Sequence, residues 1–257
     1  MKQTRIFPKV ALDMFVIQLV WTGGFLGIMF LINIVKLIIA GVQGNEVEGY
    51  FNTIFITGNI YMLIIGLLSI HFLSHYVGNG VTRKDYFIGS FLASIGIAII
   101  LPIFTIIISS LEKFVLNLAS ISTKVQSINE VDIDDNIIGD IVQSIIISPY
   151  VDPQDNWIMA ISVLALNLYI YYLIGWLISS SFYRFDVMAG IGFILIALNF
   201  KMLKDTLLRI SLELPVPGWF SWLDFLPSGM ALIGVLLIIV VTVWFIRLLT
   251  KRIAIKM

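Results

Sequence analysis

The 257-residue chain has no cysteine, two histidines and only 12% charged residues, about half the roughly 25% that soluble domains carry. Without cysteine there is no disulfide framework, no thiolate metal site and no cysteine nucleophile. Charge of one sign is missing too. Sixteen Lys and Arg cancel sixteen Asp and Glu, so nothing electrostatic favours nucleic acid as a partner. No Gly-x-x-x-x-Gly-Lys-Ser/Thr stretch occurs, so the chain lacks that phosphate-cradling loop. Apolar side chains are what the sequence has, at 59% hydrophobic and a mean hydropathy of +1.01. So few polar residues cannot cover a folded surface in water, and the composition is that of an all-α integral membrane protein.

A bilayer core of about 30 Å takes roughly 20 apolar helical residues. Stretches free of Asp, Glu, Lys and Arg predict six spans, at about 14–41, 51–77, 87–111, 157–183, 187–203 and 229–249. The fifth is the weakest, because the charge-free run Val187–Phe200 has only 14 residues. Charge placement argues that it crosses. With both termini inside, ten Lys and Arg lie on the cytoplasmic pieces and five on the external ones (Lys113, Lys124, Lys201, Lys204 and Arg209), as the positive-inside rule requires. The first apolar run exceeds a signal-peptide core and has no small-residue cleavage site after it, so it reads as an uncleaved span. Residues 1–13, with Lys2, Arg5 and Lys9 among Ile6, Phe7, Val10 and Leu12, suit a helix lying along the cytoplasmic interface.

Two external pieces exceed simple turns. Residues 112–156 hold eight scattered acids and an Ile-rich amphipathic run at 137–147, which predicts a small cap or extensions of the adjoining spans. Asp132-Ile133-Asp134-Asp135 lacks the glycine and terminal Glu of a calcium loop and reads as a solvated acidic face. In 204–228, Leu207–Leu214 and the aromatic group Trp219, Phe220, Trp222 and Phe225 predict two short helices at the outer boundary, where aromatics accumulate.

The most informative stretch follows the second span: Val77-Gly78-Asn79-Gly80-Val81-Thr82-Arg83-Lys84-Asp85-Tyr86-Phe87. The glycines release the chain, and Thr82 with Asp85 three residues on forms a capping-box pattern with Asp in place of Glu. A short, rigid, polar-tipped helix at the cytoplasmic surface is the expectation, and a soluble partner could push on it. Together with six spans in about 250 residues, the segment Gly80–Phe87 resembles the permease subunits of ABC-type exporters, in the type-2 branch common in Gram-positive bacteria. The resemblance covers the whole chain as architecture, and as sequence only residues 80–87.

That resemblance implies a coupling segment at Gly80, Val81, Thr82, Arg83, Lys84, Asp85 and Tyr86, docked on a soluble ATP-binding subunit present in two copies. It also implies a second permease subunit, as homodimer or heterodimer, in a bacterial plasma membrane. ATP and Mg would sit in the partner, with no cofactor and no catalytic residue in this chain. Amphipathic peptides, toxins or antimicrobial compounds are the implied cargo.

The remaining chemistry is sparse. His71 and His75 lie four apart in His-Phe-Leu-Ser-His, without the Glu of a zinc-protease helix, and read as interfacial histidines and not as a metal site. Lys36, about five residues from the outer end of the first span, is a candidate for substrate or acidic-lipid contact, against a side chain that snorkels to the boundary. Asn33, Asn59 and Asn167 lie within spans, where a substrate path and interhelical hydrogen bonding explain them equally. An intramembrane hydrolase lacks a nucleophile–base pair here. An ion-coupled secondary transporter is the alternative to the exporter, weakened because every Asp and Glu falls outside the assigned spans. A non-transporting scaffold or sensor subunit is the third reading.

Overall fold

The computed structural model describes residues 6–43, 49–118, 148–216 and 218–251. Within them the chain is all-helical, with six helices long and apolar enough to cross a membrane: a multi-pass membrane protein. They are α1 (Phe7–Gln43), α2 (Tyr50–Gly78), α3 (Arg83–Leu118), α4 (Trp157–Arg184), α5 (Val187–Ser211) and α6 (Ser228–Lys251).

Three boundaries depart from the sequence expectation. Phe7–Asp13 is not a separate interfacial helix, since α1 runs unbroken for 37 residues and Pro8 sits in its first turn, where a missing N–H is harmless. No separate short helix follows α2, because Arg83–Tyr86 is the first turn of α3, which tolerates Pro102 in its interior. The fifth span does not end near Leu203. Residues 204–211, expected as an external helix, are the last two turns of α5. After it come an irregular stretch and a 3-10 helix, Gly218–Leu223, with Trp222 and Phe225 exposed at its edge. The cluster at 132–135 and the run at 137–147 lie outside the described residues, although α3 continues past Glu112 to Leu118.

Helix α4 is central and touches α2, α3, α5 and α6, while α1 lies on α3. The α2–α4 crossing is the closest. A methyl group built on Gly66 would stand 2.1 Å from the Tyr172 carbonyl oxygen, and one on Gly175 2.2 Å from that of Leu63. Two facing glycines thus bring the backbones into contact, the usual device where lipid gives helices no hydrophobic reason to associate. Around this crossing Trp176, Tyr172, Leu164, Leu168, Met62 and Ile54 are fully buried. Outward, α1, α5 and α6 expose Val20, Leu31, Met188, Leu195, Ile233 and Val240, a surface suited to acyl chains and not to water.

Polar side chains form a seam inside. Gln18 of α1 donates to the Tyr172 hydroxyl (3.1 Å), which pairs with Ser69 Oγ (2.8 Å), and Thr22 pairs with Tyr61 (2.9 Å). Such bonds contribute about 0.6 kcal/mol each on average in membrane bundles. Their larger effect is register, since a slipped helix would leave these groups unpaired in an apolar interior.

Candidate functional site

The antiparallel helices give the bundle two ends. One gathers the start of α1, the α2–α3 and α4–α5 connections and the end of α6, with Lys9, Arg83, Lys84, Arg184, Arg247 and Lys251 against Asp13, Asp85 and Asp186. Asp13 accepts a hydrogen bond from Tyr76, and Asp85 is held by Thr82.

The α2–α3 connection is built from two linked caps. At the end of α2 the Val81 N–H reaches the Tyr76 carbonyl (3.0 Å) and the Gly80 N–H that of Val77 (3.0 Å), the paired bonds of a Schellman ending. Gly80 takes the left-handed backbone this requires, at φ 85°. The next helix starts at once. Thr82 Oγ1 accepts from the Asp85 N–H (3.1 Å) and donates to Asp85 Oδ2 (2.8 Å). The capping pattern read from the sequence is therefore present. The shorter Asp meets the Thr hydroxyl, where a Glu would reach back to the backbone N–H.

Of the seven residues assigned to this segment, Gly80, Thr82 and Lys84 are exposed, while Val81, Arg83 and Asp85 are half-buried. Tyr86 is fully buried and donates to the Ser69 carbonyl. The tip is thus a small polar knob on an anchored base. Gly80→Ala should lower the thermal midpoint by the equivalent of about 1–2 kcal/mol, because a Cβ disfavours this φ. Its open surroundings leave backbone strain as the whole effect. An unchanged midpoint in detergent would show that the connection adopts another turn.

Toward the other end lie charges that the sequence reading counted with the external pieces. In α5, Lys201 and Asp205 are one turn apart and paired at 2.6 Å, and Lys204 also contacts Asp205. All three are at least 95% buried. Lys204 Nζ donates to Asn167 Oδ1 of α4 (2.5 Å), and Asn167 Nδ2 reaches the Pro149 carbonyl (3.5 Å). Asn167 is ten residues in from Trp157, about 15 Å along α4, so this ion cluster lies at the level of the apolar layer. Above it, between α4, α5 and α6, Met159, Ser162, Val163, Leu208, Ser211 and Ser228 line part of a cavity of about 380 Å³.

A second node involves Glu112, 8% exposed near the end of α3. Its carboxylate accepts from Asn33 Nδ2 (2.6 Å) and from the Tyr50 N–H (3.0 Å). Gly49 has no side chain to cap α2, so a carboxylate from a neighbouring helix takes that place, where the helix dipole favours negative charge. Beside it Tyr150, between the spans, donates to Asn52 (2.6 Å), and burial pushes its hydroxyl well above the usual tyrosine range.

The four candidates for a substrate path are thus not one site. Asn33 belongs to the Glu112 node, Asn167 to the Lys204 node, Asn59 is buried within α2, and Lys36 lies exposed on α1. His71 and His75 are both exposed. Among the described residues, no group of three or more His, Asp or Glu side chains is placed to hold a metal ion. The expectation that every acid lies outside the spans is corrected at Glu112 and Asp205. The i,i+4 pairing of Lys201 with Asp205 was the available signal, masked because a charge-free window ends where the first Lys appears.

Comparison with protein-family models, with curated proteins and with solved structures finds no match for the chain.

Proposed function

We propose that the chain is the membrane permease subunit of an ATP-driven exporter of the ABC type, powered by a separate ATPase and acting as a homodimer or heterodimer. The observation that carries this reading is the α2–α3 tip, where two consecutive caps stiffen a polar, cation-bearing knob whose base is anchored by Tyr86. Such a knob transmits a push, whereas a slack loop absorbs it. The excess of Lys and Arg at the same end supports a cytoplasmic orientation, in a bacterial plasma membrane. ATP and Mg then belong to the partner, because the sequence has no phosphate-cradling loop. Amphipathic peptides, toxins or antimicrobial compounds are the proposed cargo.

Lys84 projects from the tip while Arg83 is half-buried, so the test is Lys84→Glu. Mild-detergent pull-down of the unsubstituted tagged chain should retrieve a soluble ATPase, and the charge reversal should remove most of it without lowering the amount of folded chain. Equal retrieval by both would count against this tip as the docking element.

A second reading, an ion-coupled secondary transporter, is favoured by the buried Lys201–Asp205–Lys204 cluster and by Glu112, since ionisable groups at membrane depth commonly mark ion or proton paths. Proteoliposomes holding this chain alone separate the two. A proton flux driven by an imposed pH gradient, and lost in Asp205→Asn, would favour the second.

A further inference from the structure

We infer that Arg247 is a positioning residue that carries displacement of the α2–α3 tip into α6, and through α6 to the cavity at the far end of the bundle. The inference rests on the reading of that tip as an ATPase-docking element.

Helices α3 and α6 meet only slightly, and among the described residues one polar contact joins them. It comes from the Arg247 guanidinium. Its Nη1 donates to the backbone carbonyl of Arg83 (3.4 Å), and its plane centre stands 5.0 Å from the centroid of the Phe87 ring. One side chain thus holds the start of α3 twice, at the Arg83 backbone and at the Phe87 ring one turn on. Only arginine suits both roles, because a planar guanidinium stacks on a ring while donating in its plane, and an ammonium is a point charge.

The last turn of α6 is gripped by α4 as well. Arg184, the final residue of α4, donates to the carbonyls of Leu248 and Leu249, which belong to the orphan acceptors of a helix end. That second arginine gives α6 a fixed point against which to tilt. Arg83 belongs to the tip, so a push there reaches α6 through Arg247. A 24-residue helix of about 36 Å then delivers the motion to its other end. There Ser228, Gly229 and Leu232 of α6 line the cavity together with Ser211 of α5.

The absence of native cysteine makes Ser211→Cys the single thiol of this chain, and its labelling is read on this chain's own band after the subunits are separated. The full chain carrying it, purified with its ATPase, is labelled with a maleimide fluorophore with and without ATP, magnesium and orthovanadate. The expected result is a labelling rate that changes when the nucleotide is trapped. In Arg247→Met that dependence should be lost, while the ATPase still co-purifies and hydrolyses ATP. A merely structural arginine would lower stability or retrieval and leave the dependence intact in the surviving complex.

Phe87→Leu removes the ring and keeps the carbonyl bond, so it should reduce the dependence, and it stands in should Arg247→Met not fold. A trapped-state change that is absent from the unsubstituted chain, or that survives both substitutions, overturns the inference and leaves the exporter reading standing on co-purification. Failure of the unsubstituted chain to retrieve any ATPase overturns the reading itself, and the inference with it.

Discussion

Gly66→Ala should yield a chain that inserts but unfolds at a markedly lower temperature or detergent harshness, by the equivalent of about 1–3 kcal/mol. The added methyl meets the backbone at Tyr172 at 2.1 Å, and a carbonyl on a packed helix cannot rotate away as a side chain would. The α2–α4 crossing has to open, and with it the buried layer of Tyr172, Trp176 and Met62 loosens. Gly175→Ala strains the same crossing from the other side, against the Leu63 carbonyl. The double variant should therefore cost less than the sum of the two singles, because helices already forced apart have room for the second methyl. Gly23→Ala and Gly27→Ala are the controls, since nothing stands within 4 Å of either added methyl. Fluorescence-detected size-exclusion chromatography after a heating series measures all of these. Equal midpoints for Gly66→Ala and Gly23→Ala would contradict this crossing.

Asp205→Asn is the second large effect. The carboxylate lies between Lys201 and Lys204 inside the bundle, and its removal leaves two buried ammonium groups without it. Breaking a buried ion pair from one side typically costs about 3–5 kcal/mol, whereas replacing the whole set by apolar residues is often neutral or stabilising. The same heating series should therefore rank the triple variant Lys201→Met, Lys204→Met, Asp205→Leu above the single Asp205→Asn. That order would mean that the cluster is not kept for stability. A single variant as stable as the unsubstituted chain would instead show that the lysines find other compensation. Transport by the stable triple variant then measures whether the charges serve function, which is where the exporter and ion-coupled readings diverge.

Much of the fold was legible in residue order. Six spans follow from run length and from the placement of Lys and Arg, because a hydrocarbon layer about 30 Å thick imposes its length on any helix that crosses it. The caps at Thr82 and Gly80 were legible for another reason. Both are local, made between residues three to five apart, and a local hydrogen bond needs no knowledge of what packs where.

What escaped the sequence lies on contacts distant in the chain. Lys201, Lys204 and Asp205 read as surface residues because a charge-free window scores composition alone, and only the face turned to Asn167, 37 positions away, puts Lys204 inside. Glu112 read as the first residue of a loop, yet it caps a helix that begins 62 residues earlier. Arg247 read as one more cytoplasmic cation, and its partner Arg83 is 164 residues away. Sequence by itself determined that the chain carries six segments long and apolar enough to cross a membrane, and where one helix stops and the next starts, since apolar length and short-range capping are properties of contiguous residues. Tertiary structure alone decided which polar groups are buried and which helix ends are tied together, because desolvation and long-range pairing depend on neighbours that contiguity does not specify.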